Sequence, residues 1–357
     1  YKTYYQIAHD ECQQIMARTD EHNLNPSFNT VFKGAIDAHT SDPAGEIIFR
    51  VAMTGGAGSN DSKLGYYDGN KVNGLGNAAI GVLPTYFYLF DSVDTRRDVT
   101  CGAYDVGKDF NILTPRTPTT LVEAKFRRDW MSNPSQLNSS AAQYFGLDWP
   151  LLRYSDVLLM FAETDNELNN GPSPAAVTAF EQVRKRAYAG HTSAIGTTPT
   201  DYTGFFNAIV KERSLEFGGE GIRKYDLIRW NLIAQRLADA KTNLTNMAAG
   251  KGGFTGSYNT NPLSFTTIPD SVFYDSAKSV VSTGVLFKTS FYAKRTVSTD
   301  SGYKRILWAS KAISGILSAS GSSNGYAFYF TPNHSELLPI PQQALDANYN
   351  LKQDYGY

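Results

Sequence analysis

The chain has 357 residues, and its 33 Lys and Arg are balanced by 34 Asp and Glu to a formal net charge of −1. Such a balance gives no long-range field for steering a polyanion, so nucleic acid drops out as a default partner. The length admits one large domain or two closely packed ones, and 22 Tyr with 20 Phe exceed what a core needs, leaving flat rings available for contact.

Cys12 and Cys101 lie far apart and form no C-x-x-C pair, so neither a zinc site nor a redox motif is readable. No apolar run is long enough to span a bilayer, and the N-terminus has no secretory pattern. Any address label is therefore expected upstream of Tyr1.

Residues 3 to 18 repeat Tyr4, Ile7, Ala8, Cys12, Ile15 and Met16 at helical spacing, which predicts an amphipathic helix with those side chains on one face. Residues 46 to 51 read as a strand that runs into the flexible Gly55–Gly58 stretch. From Gly55 to Gly81 the composition predicts irregular chain, with Tyr66 and Tyr67 held away from the core by a turn at Asp68-Gly69.

The regular part lies between 150 and 240. Leu151, Tyr154, Leu158, Phe161, Ala162 and Leu168 predict one helix, stopped by Gly171-Pro172. Ser173 as N-cap and Pro174 at the first helical position open a second, with Ala176, Phe180, Val183 and Ala187 on its stripe. Phe206, Ile209, Val210 and Phe217 predict a third, and after the turn Gly218–Gly221 a fourth carries Tyr225, Ile228, Leu232 and Leu237. Two successive helical hairpins of this kind look like stacked tetratricopeptide-type units. Beyond 240 the chain is loop-rich, with Phe328-Tyr329-Phe330 as a short strand and Leu337–Pro341 extended by its prolines.

Catalytic patterns are weak. Glu212 and Glu216 share a helix face, and a glycosidase needs two carboxyls roughly 5 to 9.5 Å apart. Arg213 and Arg223 are expected to keep both ionised, which favours structural ion pairs over a raised-pKa acid. Gly321–Gly325 matches G-x-S-x-G without the strand and helix that a nucleophile elbow requires. Gly74–Ala79 imitates a dinucleotide fingerprint without a leading strand. The five histidines do not pair at ligand spacing, and Asp68, Asn70 and Asn73 fail the EF-hand pattern, so no metal or cofactor is expected.

Aromatic residues set in polar loops are the remaining signal. Tyr66 and Tyr67, Phe254 and Tyr258, and Tyr326 stand beside Gly, Ser or Asn, where a ring can present its face to a sugar or a peptide. Asn60, Asn70, Asn73 and Asn259 can hydrogen-bond hydroxyls or a peptide backbone. Tyr66, Tyr67, Asn70, Asn73, Tyr258 and Tyr326 form the expected ligand-binding set; Trp130 follows, and Trp149-Pro150 reads as a packing hinge.

Four separated motifs carry a family resemblance. They are Leu152-Arg153-Tyr154-Ser155-Asp156-Val157 through Glu163, Glu181–Ala187, Ile209–Phe217 with Gly221–Trp230, and the tail from Leu337-Leu338-Pro339-Ile340-Pro341 to Asn348 and Tyr357. Phe90–Asp98 fits less tightly. In order and spacing together they resemble the SusD/RagB family of outer-membrane nutrient-binding lipoproteins. The resemblance implies a mostly α, tetratricopeptide-like fold with a loop-rich irregular lobe and short strands. Within a single SusD-like unit of residues 1–357, the expected division is a helical scaffold at 1–20 and 151–240 and a ligand-binding lobe at 21–150 and 241–357.

It also implies a protein of Bacteroidetes on the extracellular face of the outer membrane, held by a lipid anchor upstream of this chain and closing over a SusC-like TonB-dependent transporter. Its role would be binding without catalysis, of a glycan or, as in the RagB branch, a peptide. A glycan-degrading enzyme and a helical scaffold that binds only proteins are the contrasting readings. Glu212, Arg213, Glu216, Arg223, Asp226 and Arg229 are spaced for ion pairs within and between two facing helices, with Trp230 as an apolar anchor.

Overall fold

The computed structural model describes residues 1–54, 61–107, 111–132, 143–258, 261–279, 286–294, 301–308, 313–318, 325–354 and 357. Helices dominate, and the named strands form four two-stranded antiparallel pairs among the described residues. Asn60, Asn259 and the Gly321–Asn324 part of the G-x-S-x-G match lie outside them.

Helix α1 (Lys2–Met16) packs on α2 (Tyr154–Asn169). The inward stripe is Tyr5, His9, Cys12 and Met16, while the expected Tyr4 and Ile7 are exposed. The stripe is rotated because the flat His9 ring serves as an apolar surface, stacking on Phe161 at 4.7 Å.

Leu151 and Leu152 belong to a strand, not to the start of α2. The strand β6 (Trp149–Arg153) pairs with β1 (Ile47–Val51), Ile47 opposite Arg153 and Val51 opposite Trp149. The helix begins only where the Tyr154 N–H donates to the Glu46 carbonyl at 2.7 Å.

Asn170 ends α2 in the left-handed region at φ 54°, and α3 (Pro174–Ala187) follows with the Ser173 hydroxyl accepting from the Ala176 N–H, as its N-cap position predicts. In α4 (Tyr202–Phe217) the fully buried ring is Phe205; Phe206 is half-buried, edge-on to Trp230 at 5.6 Å. The predicted fourth helix is two, α5 (Arg223–Arg229) and α6 (Ile233–Ala248), broken where Asn231 adopts φ 54°. Tyr225, placed on its apolar stripe, is 69 % exposed.

Helices α2, α3 and α4 share one core of Val157, Leu158, Phe161, Phe180, Val183 and Ile209. A second core joins the loops to the helices. In it Phe87, Tyr88, Phe90, Phe291 and Trp308 meet Leu215 of α4 and Leu244 and Met247 of α6. A third gathers Phe28, Phe32, Phe126, Phe145 and Leu147. Phe328-Tyr329-Phe330 is no strand: Ala327 has φ 52°, and Phe328 and Phe330 donate to carbonyls three and three residues back in successive turns.

Buried charge joins these parts. Glu216 of α4 accepts from Arg186 of α3 at 2.5 Å, Arg153 of β6 at 2.9 Å and Arg96 at 3.1 Å. Arg96 also binds Asp94 and Glu212, Arg153 binds Glu46 and Glu220, and Lys125 binds Glu220 at 2.6 Å. The arginines expected to hold the two glutamates act elsewhere: Arg213 pairs with Asp156 and Asp226, and Arg223 donates to the Val210 carbonyl. Adjacent sequence misleads here because the partners of Glu216 arrive from other segments.

Burial alone would raise the Glu216 pKa, but Arg186, Arg153 and Arg96 outweigh it and hold the carboxyl well below the usual carboxylate range. The sign follows from proton uptake on unfolding: the stabilisation is present above the ordinary value of 4.5 and is lost as pH falls through the folded-state value. Replacing Arg153 by Met should lower stability by about 3–5 kcal/mol, read from the urea midpoint, because it leaves buried carboxylates without their donor. A midpoint unchanged from the parent protein would remove the network from the account of stability.

Candidate functional site

The best-equipped cleft lies where the segments around residues 97–104, 127–130 and 286–292 meet, and it encloses about 370 Å³. Its aromatic wall is Tyr104, Trp130, Phe287, Phe291 and Tyr292. Tyr104 opens β3 (Tyr104–Val106), which pairs with β4 (Leu113–Pro115); Trp130 closes a single 3-10 turn, Arg128–Trp130.

One buried cation fixes two of the rings. The Arg127 guanidinium stands 4.8 Å from the Tyr104 ring centre and 4.3 Å from that of Trp130, and it donates to the Tyr104 hydroxyl at 2.8 Å. Asp129 accepts from Arg127 Nη2 at 2.7 Å, and Asp37 accepts from the Arg127 N–H at 3.0 Å. Burial works against the Arg127 charge, but Asp129 and Tyr104 outweigh it and keep the guanidinium firmly protonated. A second cation, Arg97, lies over Phe87, Phe291 and Tyr292 at 5.2 to 5.6 Å. It grips Asp98 through Nε at 2.7 Å, and the Asp98 side chain is 72 % exposed. Ser92, Thr289 and Ser290 add hydroxyls.

Rings held by fixed cations, beside an exposed carboxylate and hydroxyls, suit a ligand with both apolar faces and many hydroxyl groups. Among the described residues the wall holds no general acid–base pair: its one lining carboxylate, Asp98, is engaged by Arg97.

The expected binding residues fall into two places. Tyr66 and Tyr67 end a one-turn helix, Leu64–Tyr67, with their rings edge-on at 5.1 Å; Tyr67 is 41 % exposed. Tyr66 and Trp130 pack on the same buried cluster. Gly69, at φ 74°, lies so close that a Cβ there would meet the Phe126 carbonyl at 2.6 Å. Asn70 is almost fully buried, with neither amide atom bonded to a described residue, and Asn73 sits at φ 54° with its N–H on the Val106 carbonyl. Tyr258 and Tyr326 gather elsewhere, beside Arg236, whose guanidinium is 5.4 Å from the Tyr258 ring centre. Phe254 packs on Phe265, and Trp149 donates to the Glu220 carbonyl at 3.2 Å.

Sequence reasoning ranked Trp130 second and missed Tyr104, Arg97, Arg127 and Tyr292. The readable signal was Arg127-Arg128-Asp129-Trp130, an aromatic ring with cation and counter-charge in one turn.

The SusD family model matches residues 93–357, most of the chain. The chain belongs to the SusD family. A curated relative, SusD-like protein P25 of Formosa agariphila, is 43 % identical over 89 residues, which cover 25 % of this chain and 16 % of that protein. The crystal structure of a SusD homologue from Bacteroides thetaiotaomicron is similar over 99 % of this chain and 59 % of its own, with 20 % identity and a TM-score of 0.62. Surface glycan-binding protein A from Bacteroides uniformis aligns over 99 % of this chain and 57 % of its own, with 16 % identity and a TM-score of 0.52. The chain thus spans under two thirds of the length of each of these proteins, and its mostly helical fold is that of the two solved structures.

Beneath the Tyr66-Tyr67 turn lie two carboxyls of raised pKa. Burial pushes Asp68 up to about 6, and burial together with Asp68 pushes Glu123 up to about 8. Glu123 ends β5 (Val122–Glu123), and its carbonyl accepts from the Gly69 N–H at 2.9 Å. Its neutral form is favoured in the fold, so the stabilisation is present below the ordinary 4.5 and is lost as pH rises through about 8. Glu123→Gln should therefore stabilise the protein by about 2–4 kcal/mol at about pH 9 and much less at about pH 5. Calorimetric Tm values across that range check it; an equal effect at both ends would mean that Glu123 does not titrate there.

Proposed function

We propose that this chain captures a glycan at the cell surface without cleaving it and delivers it to a SusC-like TonB-dependent transporter in the outer membrane. The observation that carries this reading is the Tyr104–Arg127–Trp130 stack. Rings whose positions are set by a buried, hydrogen-bonded guanidinium offer a sugar ring a surface that needs little ordering on binding. Arg97, Asp98 and the hydroxyls of the same cleft supply donors and acceptors for sugar hydroxyls. Tyr67, 41 % exposed, offers a further ring for a sugar face. The likeness in fold to a protein named for surface glycan binding supports the same class of ligand.

Ligand capture and no chemistry fits Glu212 and Glu216 as well. Both are consumed by Arg96, and Glu216 also by Arg153 and Arg186, so neither is poised as a proton donor. The outer-membrane location, the lipid anchor and the transporter partnership belong to this proposal through family membership.

The test is to titrate the protein with a panel of neutral oligosaccharides and of peptides by calorimetry, and to examine each mixture by mass spectrometry for products. One oligosaccharide class should be retained intact, with Trp130→Ala and Tyr104→Ala each weakening it about tenfold or more while circular dichroism is unchanged. Steady appearance of shortened sugars would sink the binding-only reading. Retention of peptides alone would move the ligand class to peptides.

A further inference from the structure

A second cavity, larger than the aromatic cleft at about 450 Å³, lies within the helical part between α3 and α4. Asn207 and Lys211 stand four residues apart on α4, and Arg184 and Tyr188 four apart at the end of α3. Each pair therefore shares one helix face, and all four side chains line the cavity. Phe180 and Leu215 give it an apolar floor, and Asp91 and Glu212 close its acidic side.

Most of the charge there is already committed. Arg184 donates to Glu181 and Thr198 at 2.9 Å each and to the Ile195 carbonyl. Glu212 accepts from Arg96 at 2.5 Å. Asp91 spends one oxygen on its own turn, accepting from the Val93 N–H at 3.1 Å and the Ser92 hydroxyl at 3.2 Å. Among the described residues Lys211 has no ion pair, and the Asn207 amide and the Tyr188 hydroxyl have no side-chain hydrogen bond. Burial, aided by Arg184 and Arg96, lowers the Lys211 pKa against the pull of Glu212 and Asp94. An ammonium so placed gains from a carboxylate brought to it.

We propose that this cavity is a second ligand site, for a small hydroxy acid whose carboxylate pairs with Lys211 and whose hydroxyl groups bond to Asn207, Tyr188 and the uncommitted oxygen of Asp91. A neutral sugar would leave Lys211 without a counter-ion. A dianion would place its second charge against Asp91 and Glu212. The site shares no lining residue with the aromatic cleft and stands independently of the function proposed for that cleft.

The experiment uses the whole chain, with D-glucuronate as probe and D-glucose as its neutral match. Calorimetry should show glucuronate binding that Lys211→Met and Asn207→Leu each weaken about tenfold, and glucose binding about tenfold more weakly. In the parent protein, the carbon-13 resonance of dimethylated Lys211 should shift with glucuronate and not with glucose, which keeps the test free of any folding defect in the variants. Glucose bound as tightly as glucuronate, full affinity in Lys211→Met, or no Lys211 shift at about 10 mM glucuronate would each overturn the proposal.

Discussion

Glu216 is the point on which the structure turns. Its carboxylate is fully buried and takes three guanidinium groups from three distant segments, with Glu46, Asp94, Glu212, Glu220 and Lys125 completing the set around it. Apolar packing could supply comparable stability, because removing this many charges from water is costly. What charge adds is selection of one arrangement: any other docking of these segments would strand an ion in the interior.

The same segments build the aromatic cleft. Arg96 points into the network and its neighbour Arg97 lines the cleft; Lys125 binds Glu220, and Arg127, two residues on, carries Tyr104 and Trp130. Neighbouring residues of the same two segments thus face an ionic interior and the aromatic cleft. Arg127 touches the rings directly, while Arg96 and Lys125 tie down the segments that carry Arg97 and Arg127, a division between supporting and contacting groups that keeps the cleft preformed.

Much of the fold could be read in the sequence. The Ser173-Pro174 start of α3 and the hairpin that follows α2 obey local capping and periodicity, and the family motifs gave the architecture. Local rules failed where a distant partner decided. Leu151 and Leu152 joined a strand because β1 was available to pair, α1 turned because His9 could stack on Phe161, and the helix after Gly221 broke at Asn231. The cleft was less legible for the same reason. Tyr104, Trp130 and Tyr292 are scattered in sequence, and only the buried Arg127 and Arg97 show that the rings converge. Polar neighbours in the sequence drew attention to Tyr258 and Tyr326, which the fold instead places around Arg236.

The reach of the Glu216 network also sets an order of events during synthesis. Glu46 finds Arg186 across 140 positions and Arg96 finds Glu212 across 116. Until α4 and the turn after it have been made, Arg96, Lys125 and Arg153 lack Glu212, Glu216 and Glu220 and gain less from leaving water. The buried network should therefore close in a late step, once Glu212, Glu216 and Glu220 are present.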